Sequence, residues 1–88
     1  MDQGIFLLIT AEQIRAARGL LGWSQTKLAE RAGLSLPTVK RVEAESPKVS
    51  IEARRKLQRA LELGGVNFIE ENGGGLGVRL RKRRPKPK

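Results

Sequence analysis

The sequence of 88 residues contains no cysteine and no histidine, and only three aromatic residues. Without cysteine the chain can form neither a disulfide nor a thiol nucleophile, and without histidine it lacks the commonest general base. The two absences also remove the usual zinc-ligand spacings. We therefore expect no enzyme activity, no metal site and no cofactor. Absence of disulfides is compatible with the reducing cytoplasm, where we expect the protein to act.

Long apolar segments are missing as well. The longest uninterrupted apolar run is Ile5–Ile9, far short of the roughly 20 residues that a transmembrane helix needs. The N-terminus also lacks the basic lead and the small-residue cleavage site of a secretory signal. A chain of this length suffices for one small domain. The sequence thus predicts a protein that does not associate with membranes.

Positive charge is concentrated at the C-terminus. Lysine and arginine total 18 against 9 acidic residues, a net charge of +9. Seven basic residues and no acidic one follow Asn72, so that residues 1–71 carry a net charge of only +2. Strong positive charge is typical of proteins that bind a polyanion such as nucleic acid. We interpret the tail as a nonspecific phosphate binder, with a solubilising extension as the alternative.

Four helices are predicted from capping residues and apolar periodicity. Thr10 and Gln13 have the spacing of a capping box, with Ile9 and Ile14 placed for a hydrophobic staple. The predicted N-caps are Thr10, Ser24, Ser35 and Ser50. The inward residues are Ile14, Ala17, Leu21, Leu28, Ala29, Ala32, Val39, Val42, Ala53, Leu57, Ala60 and Leu61. Trp23, the only tryptophan, is interpreted as a core side chain between helices, with a stacking platform as the alternative.

After residue 64 the pattern changes from helical to extended. Two short β-prone runs, Val66–Glu71 and Leu76–Leu80, flank the turn sequence Asn72–Gly75, which predicts a β-hairpin. Ile5–Ile9 is a candidate strand, and Arg81–Lys88 has nothing to bury, which favours disorder. The predicted organisation is an apolar N-terminal segment (1–9), a helical domain (10–64), a hairpin (65–80) and a disordered basic tail (81–88).

Only three residues, Gly33–Ser35, join the second and third predicted helices. Two helices that cross steeply over so short a turn need a small residue where their backbones approach, and Ala29 supplies it. The turn also needs a left-handed residue, and Gly33 stands at that position. The apolar residues at suitable spacing to hold the third helix are Leu34, Val39 and Val42. Residues 25–42 thus fit a helix-turn-helix, although capped helices alone would suit any small bundle.

The segment Gly22–Glu43, GWSQTKLAERAGLSLPTVKRVE, closely resembles the Cro/repressor-type (Xre) helix-turn-helix family. The resemblance covers about Thr10–Gly64 and includes Arg18 and Glu43, which match a structural ion pair of the family. It implies a mainly α fold, a four-helix lambda-repressor-like domain, to which this chain adds a hairpin where many relatives have a fifth helix. It also implies that the partner is double-stranded DNA.

Candidate DNA contacts lie on the outward side of the third helix and at helix N-termini. Arg41 suits guanine O6 and N7, and Leu36, at an exposed position, suits a thymine methyl group. By the resemblance, Gln25 contacts a phosphate, and Lys48 and Ser50 match positions where relatives meet the DNA backbone. The candidate base contacts are Leu36, Pro37, Thr38, Lys40 and Arg41. The candidate phosphate contacts are Ser24, Gln25, Thr26, Ser35, Lys48 and Ser50. For the basic residues among them, an ordinary solvated surface is the alternative.

We expect a sequence-specific transcriptional regulator, repressor or activator, that binds a palindromic operator as a homodimer. A single recognition helix reads few base pairs, whereas a two-fold dimer reads two half-sites about one helical turn apart. The hairpin and Ile5–Ile9 are the candidate dimer contacts, because they carry more apolar residues than a four-helix core needs. The side chains expected to be exposed there are Ile5, Leu7, Val66, Phe68 and Val78.

Two other classes of function stay open. An antitoxin or other partner-binding module would hold a second protein through the hairpin and bind DNA for its own regulation. A small nuclease is the enzymatic alternative, and it is disfavoured because the sequence has no clustered carboxylates and no histidine.

Overall fold

The computed structural model describes residues 9–46, 48–71 and 73–81 of the chain. Within these residues, four helices are followed by a two-stranded antiparallel sheet. The elements are α1 (Ala11–Leu21), α2 (Gln25–Ala32), α3 (Leu36–Glu43), α4 (Ile51–Gly64), β1 (Val66–Ile69) and β2 (Gly77–Leu80). The predicted mainly α fold with four helices and a C-terminal hairpin is confirmed.

Each helix begins after the residue that its capping sequence predicts. Thr10 Oγ1 accepts the Gln13 amide at 3.1 Å, and Gln13 Oε1 accepts the Thr10 amide at 2.9 Å, so the predicted capping box is present. The serines that cap the next three helices are Ser24, Ser35 and Ser50. These contacts satisfy amides of the first turn that have no partner within the helix. Local sequence therefore fixes the start of every helix.

One hydrophobic core joins the helices to the hairpin. The large side chains in it with no exposed surface are Ile14, Leu28, Val39, Val42, Leu57, Leu61 and Val66. They come from all four helices and from β1, and they form one cluster. Burial of each such side chain contributes about 1.5–3 kcal/mol. Because α2 and α3 both contribute to this cluster, the core fixes them relative to α1 and α4.

The hairpin is tied to α1 by the side chain that completes the capping box. β1 and β2 pair in the register that places Val66 opposite Leu80 and Ile69 opposite Gly77. Gln13 Nε2 donates to the carbonyl oxygens of that last pair, at 3.3 Å from Ile69 and 2.9 Å from Gly77. Its side chain is buried. One residue thus caps a helix and holds the loop end of the hairpin.

The expectation that the apolar side chains of the hairpin are exposed is wrong for the residues that the structure describes. Val66 is fully buried, and Phe68 and Val78 are half-buried against the core. The alternation of a strand places these side chains on one face, and that face packs on the helical domain. The hairpin leucines with substantial exposure are instead Leu76 and Leu80, at 51% and 50%.

Two predicted segments fall largely outside the described residues. Residues 5–8 of the candidate N-terminal strand lie outside them, while Ile9 is buried and its carbonyl accepts a 2.9 Å hydrogen bond from Arg54 Nη1. Residues 82–88 of the basic tail also lie outside them. Arg81 is described, and its amide donates to the Gly65 carbonyl at 2.7 Å, which extends the hairpin by one pair. In the described ranges, no helix is long and apolar enough to cross a membrane.

Candidate nucleic-acid interface

The turn between α2 and α3 has the predicted geometry. Gly33 adopts the left-handed conformation, with φ 70° and ψ 34°, which costs glycine least. The amide of Leu34 donates to the carbonyl of Ala29 at 3.0 Å, and Ala29 is buried. The chain therefore leaves α2 and enters α3 within three residues, as a helix-turn-helix requires.

The burial pattern of α3 separates an inward from an outward side. Val39 and Val42 are fully buried, so the middle and the C-terminal end of α3 pack against the core. Of the five candidate base contacts, three are exposed and two are half-buried. The exposed residues are Pro37, Lys40 and Arg41, and the half-buried residues are Leu36 and Thr38. The structure thus brings all five onto the part of α3 that does not enter the core.

Leu36 differs from its prediction. Its side chain was expected at an exposed position, but it is half-buried. Partial burial is sufficient to explain an apolar residue at this point in the chain. A contact between Leu36 and a thymine methyl group remains a prediction, and it can no longer be argued from exposure of the side chain.

The first turn of α3 carries paired hydroxyl groups. Ser35 Oγ accepts the Thr38 amide at 3.2 Å, and the two hydroxyl oxygens lie 2.9 Å apart. Pro37 stands in the same turn, where its missing N–H has no cost. These groups are exposed or half-buried, and each hydroxyl retains capacity for a further hydrogen bond.

The predicted ion pair between α1 and α3 is present. Arg18 Nε lies 2.7 Å from Glu43 Oε2, and Arg18 Nη2 lies 2.9 Å from Glu43 Oε1. Arg18 Nη1 also donates to the Trp23 carbonyl at 3.1 Å. The Glu43 side chain is only 4% exposed, and the hydrogen bond to it raises the pKa of Arg18. A two-point contact of this kind fixes orientation as well as distance.

Glu43 also holds two side chains that the sequence did not reveal as its partners. Gln25 Nε2, at the start of α2, donates to Glu43 Oε1 at 3.1 Å. Arg15 Nη1, one turn before Arg18 on α1, donates to the Glu43 backbone carbonyl. We call Arg15, Arg18, Gln25 and Glu43 the Glu43 network. The spacing of Arg15 and Arg18 by three residues was the available signal, because such residues share a helix face.

The candidate phosphate contacts lie around three helix N-termini. Ser24 Oγ accepts the Lys27 amide at 2.9 Å, and Ser50 Oγ accepts the Ala53 amide at 3.0 Å, so both serines act as caps. Thr26 and Lys48 are exposed, and Gln25 is half-buried. A helix N-terminus presents amide donors and positive partial charge, which suit a phosphate. Their contact with DNA remains a prediction.

Trp23 is half-buried and packs against the hydrophobic core, which agrees with the core interpretation. Its ring lies against Gly64 at the end of α4, where an added Cβ would stand 2.6 Å from the indole. The charged ends of Arg31 and Lys27 lie over the ring at 5.4 Å and 6.0 Å from its centroid. These contacts occupy the indole surface that a stacking platform for bases would need.

Comparison with protein families agrees with this geometry. A family model described as helix-turn-helix matches residues 14–65, more than half of the chain. The chain belongs to the Xre-type helix-turn-helix family. No individual curated protein matches the sequence. The family is one of DNA-binding proteins, so the Xre-type domain makes this chain a DNA-binding regulator whose partner is double-stranded DNA.

The Xre-type match covers most of the helical part of the chain and stops before the hairpin. It ends at residue 65, one residue after α4, so the hairpin follows the matched part. All eleven candidate contact residues lie inside it. The resemblance to the Cro/repressor-type family is therefore confirmed, and the role of each contact residue remains a prediction.

Proposed function

We propose that this protein regulates transcription in the cytoplasm by binding a palindromic operator as a homodimer, with α3 of each copy in the major groove. The observation that carries the proposal is the outward side of α3. Lys40 and Arg41 are exposed there, and neither forms an ion pair with any residue in the described ranges. The acidic residue of this helix, Glu43, is buried and neutralised by Arg18. The exposed charge of α3 is therefore wholly positive.

Base recognition is assigned to the exposed and half-buried residues of α3. Arg41 presents a planar guanidinium that can donate two hydrogen bonds to guanine O6 and N7. Lys40 can donate to the same acceptors or to a neighbouring phosphate. The first turn adds an apolar surface and the hydroxyl of Thr38. Such a mixture of donors and apolar atoms can distinguish base pairs by their major-groove edges.

Backbone recognition is assigned to the N-termini of α2, α3 and α4. Gln25 is held by Glu43 at its Nε2 atom, which leaves its second N–H free to donate to a phosphate oxygen. Thr26 and Lys48 extend into solvent beside α2 and α4. Ser24, Ser35 and Ser50 remain caps, and their hydroxyl hydrogens can still be donated to an anion. Contacts of this kind set the register of α3 without reading sequence.

A homodimer is proposed because a single short recognition helix buries little surface on DNA. Two copies related by a two-fold axis read two half-sites about 10 base pairs apart. The proposal is tested by selecting bound duplexes from a random pool. We expect a palindromic motif with that spacing. A motif without internal symmetry would contradict the homodimer, and a pool without enrichment would contradict sequence-specific binding.

The base-reading role of α3 is tested with Arg41→Ala. We expect a loss of about 1–3 kcal/mol on the selected site and a relaxed preference at one base pair. Arg59→Ala removes the same charge from the exposed side of α4 and is the matched control. We expect it to leave the preferred sequence unchanged. If both variants weaken cognate and random DNA equally, Arg41 contributes charge alone and does not read a base.

A further inference from the structure

The outer edge of β2 carries backbone groups that find no partner among the described residues. The Arg81 amide donates to the Gly65 carbonyl, so Gly65 and Arg81 form a hydrogen-bonded pair. Such pairs alternate along an antiparallel ladder. Val66–Leu80 and Phe68–Val78 are therefore non-hydrogen-bonded pairs. The N–H and C=O groups of Val78 and Leu80 then point away from β1, toward the outer edge of β2.

An apolar surface lies directly beside this edge. Leu76, Val78 and Leu80 alternate with polar or glycine residues, so the three side chains share one face. Ala16 and Leu20 stand one turn apart on α1 and are exposed, Leu20 to 43%. A groove of about 450 Å³ runs between α1 and the start of β2, lined in part by Ala16, Leu76 and Val78. We call these five residues and the outer edge of β2 the β2 face.

We propose that the β2 face binds the β2 face of a second copy of this chain. The two β2 strands pair antiparallel about a two-fold axis at Val78, which joins the two hairpins into one four-stranded sheet. This inference rests on the homodimer proposed above and assigns its interface. Leu76 and Leu80 then lose the half of their surface that is exposed in the single chain, since each lies against the other leucine of the second copy.

The charges of β2 select this register. With the axis at Val78, Arg79 lies opposite Gly77 of the second copy, and Leu80 lies opposite Leu76. With the axis at Arg79, the two Arg79 side chains would face each other directly, and like charges in that position are destabilising. The Val78 axis therefore matches Leu80 with Leu76 and keeps the arginines apart, whereas an axis at Gly77 would place Leu80 opposite Gly74.

The backbone hydrogen-bonding groups of β2 are compatible with the same register. The outward groups belong to Val78 and Leu80, and in the proposed sheet the same alternation continues to Leu76, which directly precedes β2. Val78 can thus exchange two hydrogen bonds with its own copy, and Leu80 can do so with Leu76 of the second chain. An exposed edge that is apolar and carries unpaired backbone groups favours pairing with another strand. The second copy supplies a strand of identical shape in the symmetric arrangement that most soluble homo-oligomers adopt.

The interface is tested by sedimentation of the full chain and two aspartate variants. Leu80→Asp places a charge in the β2 face at a residue already half exposed, so the fold tolerates it. We expect its dimer dissociation constant to rise at least tenfold. Leu63→Asp alters the most exposed large apolar side chain of the described residues, 76% exposed on α4, and is the matched control. We expect it to dimerise as the unmodified chain does.

The register is tested by cysteine cross-linking, for which a chain without cysteine is a clean background. In the proposed sheet the two Val78 Cα atoms lie about 5.5 Å apart, within the range of a disulfide. The two Arg79 Cα atoms lie about 8 Å apart, beyond it. We expect Val78→Cys to form a cross-linked dimer under mild oxidation and Arg79→Cys not to do so. The opposite result overturns the register.

These outcomes separate the interface from the proposed function. A dimer that survives Leu80→Asp and dissociates with Leu63→Asp overturns the β2 face and leaves the operator-binding homodimer intact. A full chain that is monomeric in solution and on DNA overturns both the interface and the homodimer. A Leu80→Asp monomer that binds one half-site weakly, with the same preferred bases, supports both.

Discussion

Gln13 is the residue at which helix capping and hairpin docking can be separated by one substitution. Its Oε1 atom accepts the Thr10 amide, and its Nε2 atom donates to the Ile69 and Gly77 carbonyls. Gln13→Glu keeps the acceptor and loses both donors. In a capping box, glutamate is as suitable as glutamine. Any loss of stability therefore comes from the contacts with the hairpin.

The expected loss of stability in Gln13→Glu follows from these contacts. Two lost hydrogen bonds cost about 2 kcal/mol, and a buried carboxylate that faces two carbonyl oxygens adds about 1–3 kcal/mol. A negative charge in the first turn of α1 offsets up to about 1 kcal/mol through the helix dipole. We expect Gln13→Glu to lower the free energy of unfolding by about 2–4 kcal/mol. Thr10→Ala removes only the cap and should cost about 1 kcal/mol.

Urea unfolding followed by fluorescence of the single tryptophan measures both variants. The hairpin contact also predicts a pH dependence. Burial and the two carbonyl dipoles raise the pKa of the introduced carboxyl group above its unfolded value. The protonated carboxyl group can donate one hydrogen bond. The difference in free energy of unfolding between Gln13→Glu and the unmodified protein should therefore be largest above the raised pKa and shrink as the pH falls below it.

The relative stabilities of Gln13→Glu and Thr10→Ala show whether Gln13 holds the hairpin. If Gln13→Glu is as stable as the unmodified protein at pH 7, or loses less than Thr10→Ala, the side chain acts as a helix cap alone. The hairpin would then be held only by the apolar packing of β1 and β2. A deficit that does not change with pH would also contradict the reasoning, since it could not arise from an ionised carboxylate.

Three further predictions follow from single positions. Gly19→Ala should stabilise the protein by about 0.5–1 kcal/mol, since nothing lies within 4 Å of the added Cβ and alanine is favoured in helices. Gly64→Ala should instead cost about 1–3 kcal/mol, because its Cβ meets the tryptophan ring. Midpoints of thermal unfolding that shift in the same direction for both variants would contradict this. Glu45→Gly should stabilise the protein by about 1 kcal/mol, because Glu45 has φ 59°, a left-handed conformation that strains residues other than glycine. Glu30→Gly within α2 should instead cost about 1 kcal/mol. Equal losses of stability in urea unfolding would show that Glu45 is not strained. Lys48→Ala should reduce the dependence of log K on log salt by about 1 if Lys48 neutralises a phosphate, and an unchanged slope in a binding titration would make it an ordinary solvated lysine.

The parts of the fold that could be predicted from the sequence are those determined by neighbouring residues. Ser35 marks the start of α3 because its hydroxyl acts three residues away, and Gly33 marks the end of α2 because few other residues adopt its conformation. The same holds for the outward side of α3, where helical periodicity alone separates Val39 from Arg41. The ion pair between Arg18 and Glu43 came from family resemblance, since no local pattern connects residues 25 positions apart.

What could not be predicted depends on how the elements pack. Val66 and Phe68 were expected to be exposed, but whether their face of β1 meets the core or solvent depends on where the hairpin docks. Gln13 offered a cap in the sequence, while its two donors reach carbonyls 56 and 64 residues later. The bond between Gln25 and Glu43 likewise exists only because the start of α2 lies beside the end of α3.

The Glu43 network has a consequence for how α3 moves. Removing a partner from a buried charge costs about 3–5 kcal/mol, a large share of the 5–15 kcal/mol that stabilises a typical domain. Opening of α3 alone would incur this cost in addition to the loss of its core contacts, so its amide hydrogens should exchange with solvent slowly, together with those of α1. In the proposed complex, α3 therefore meets DNA already ordered, and association incurs little loss of backbone entropy in this helix.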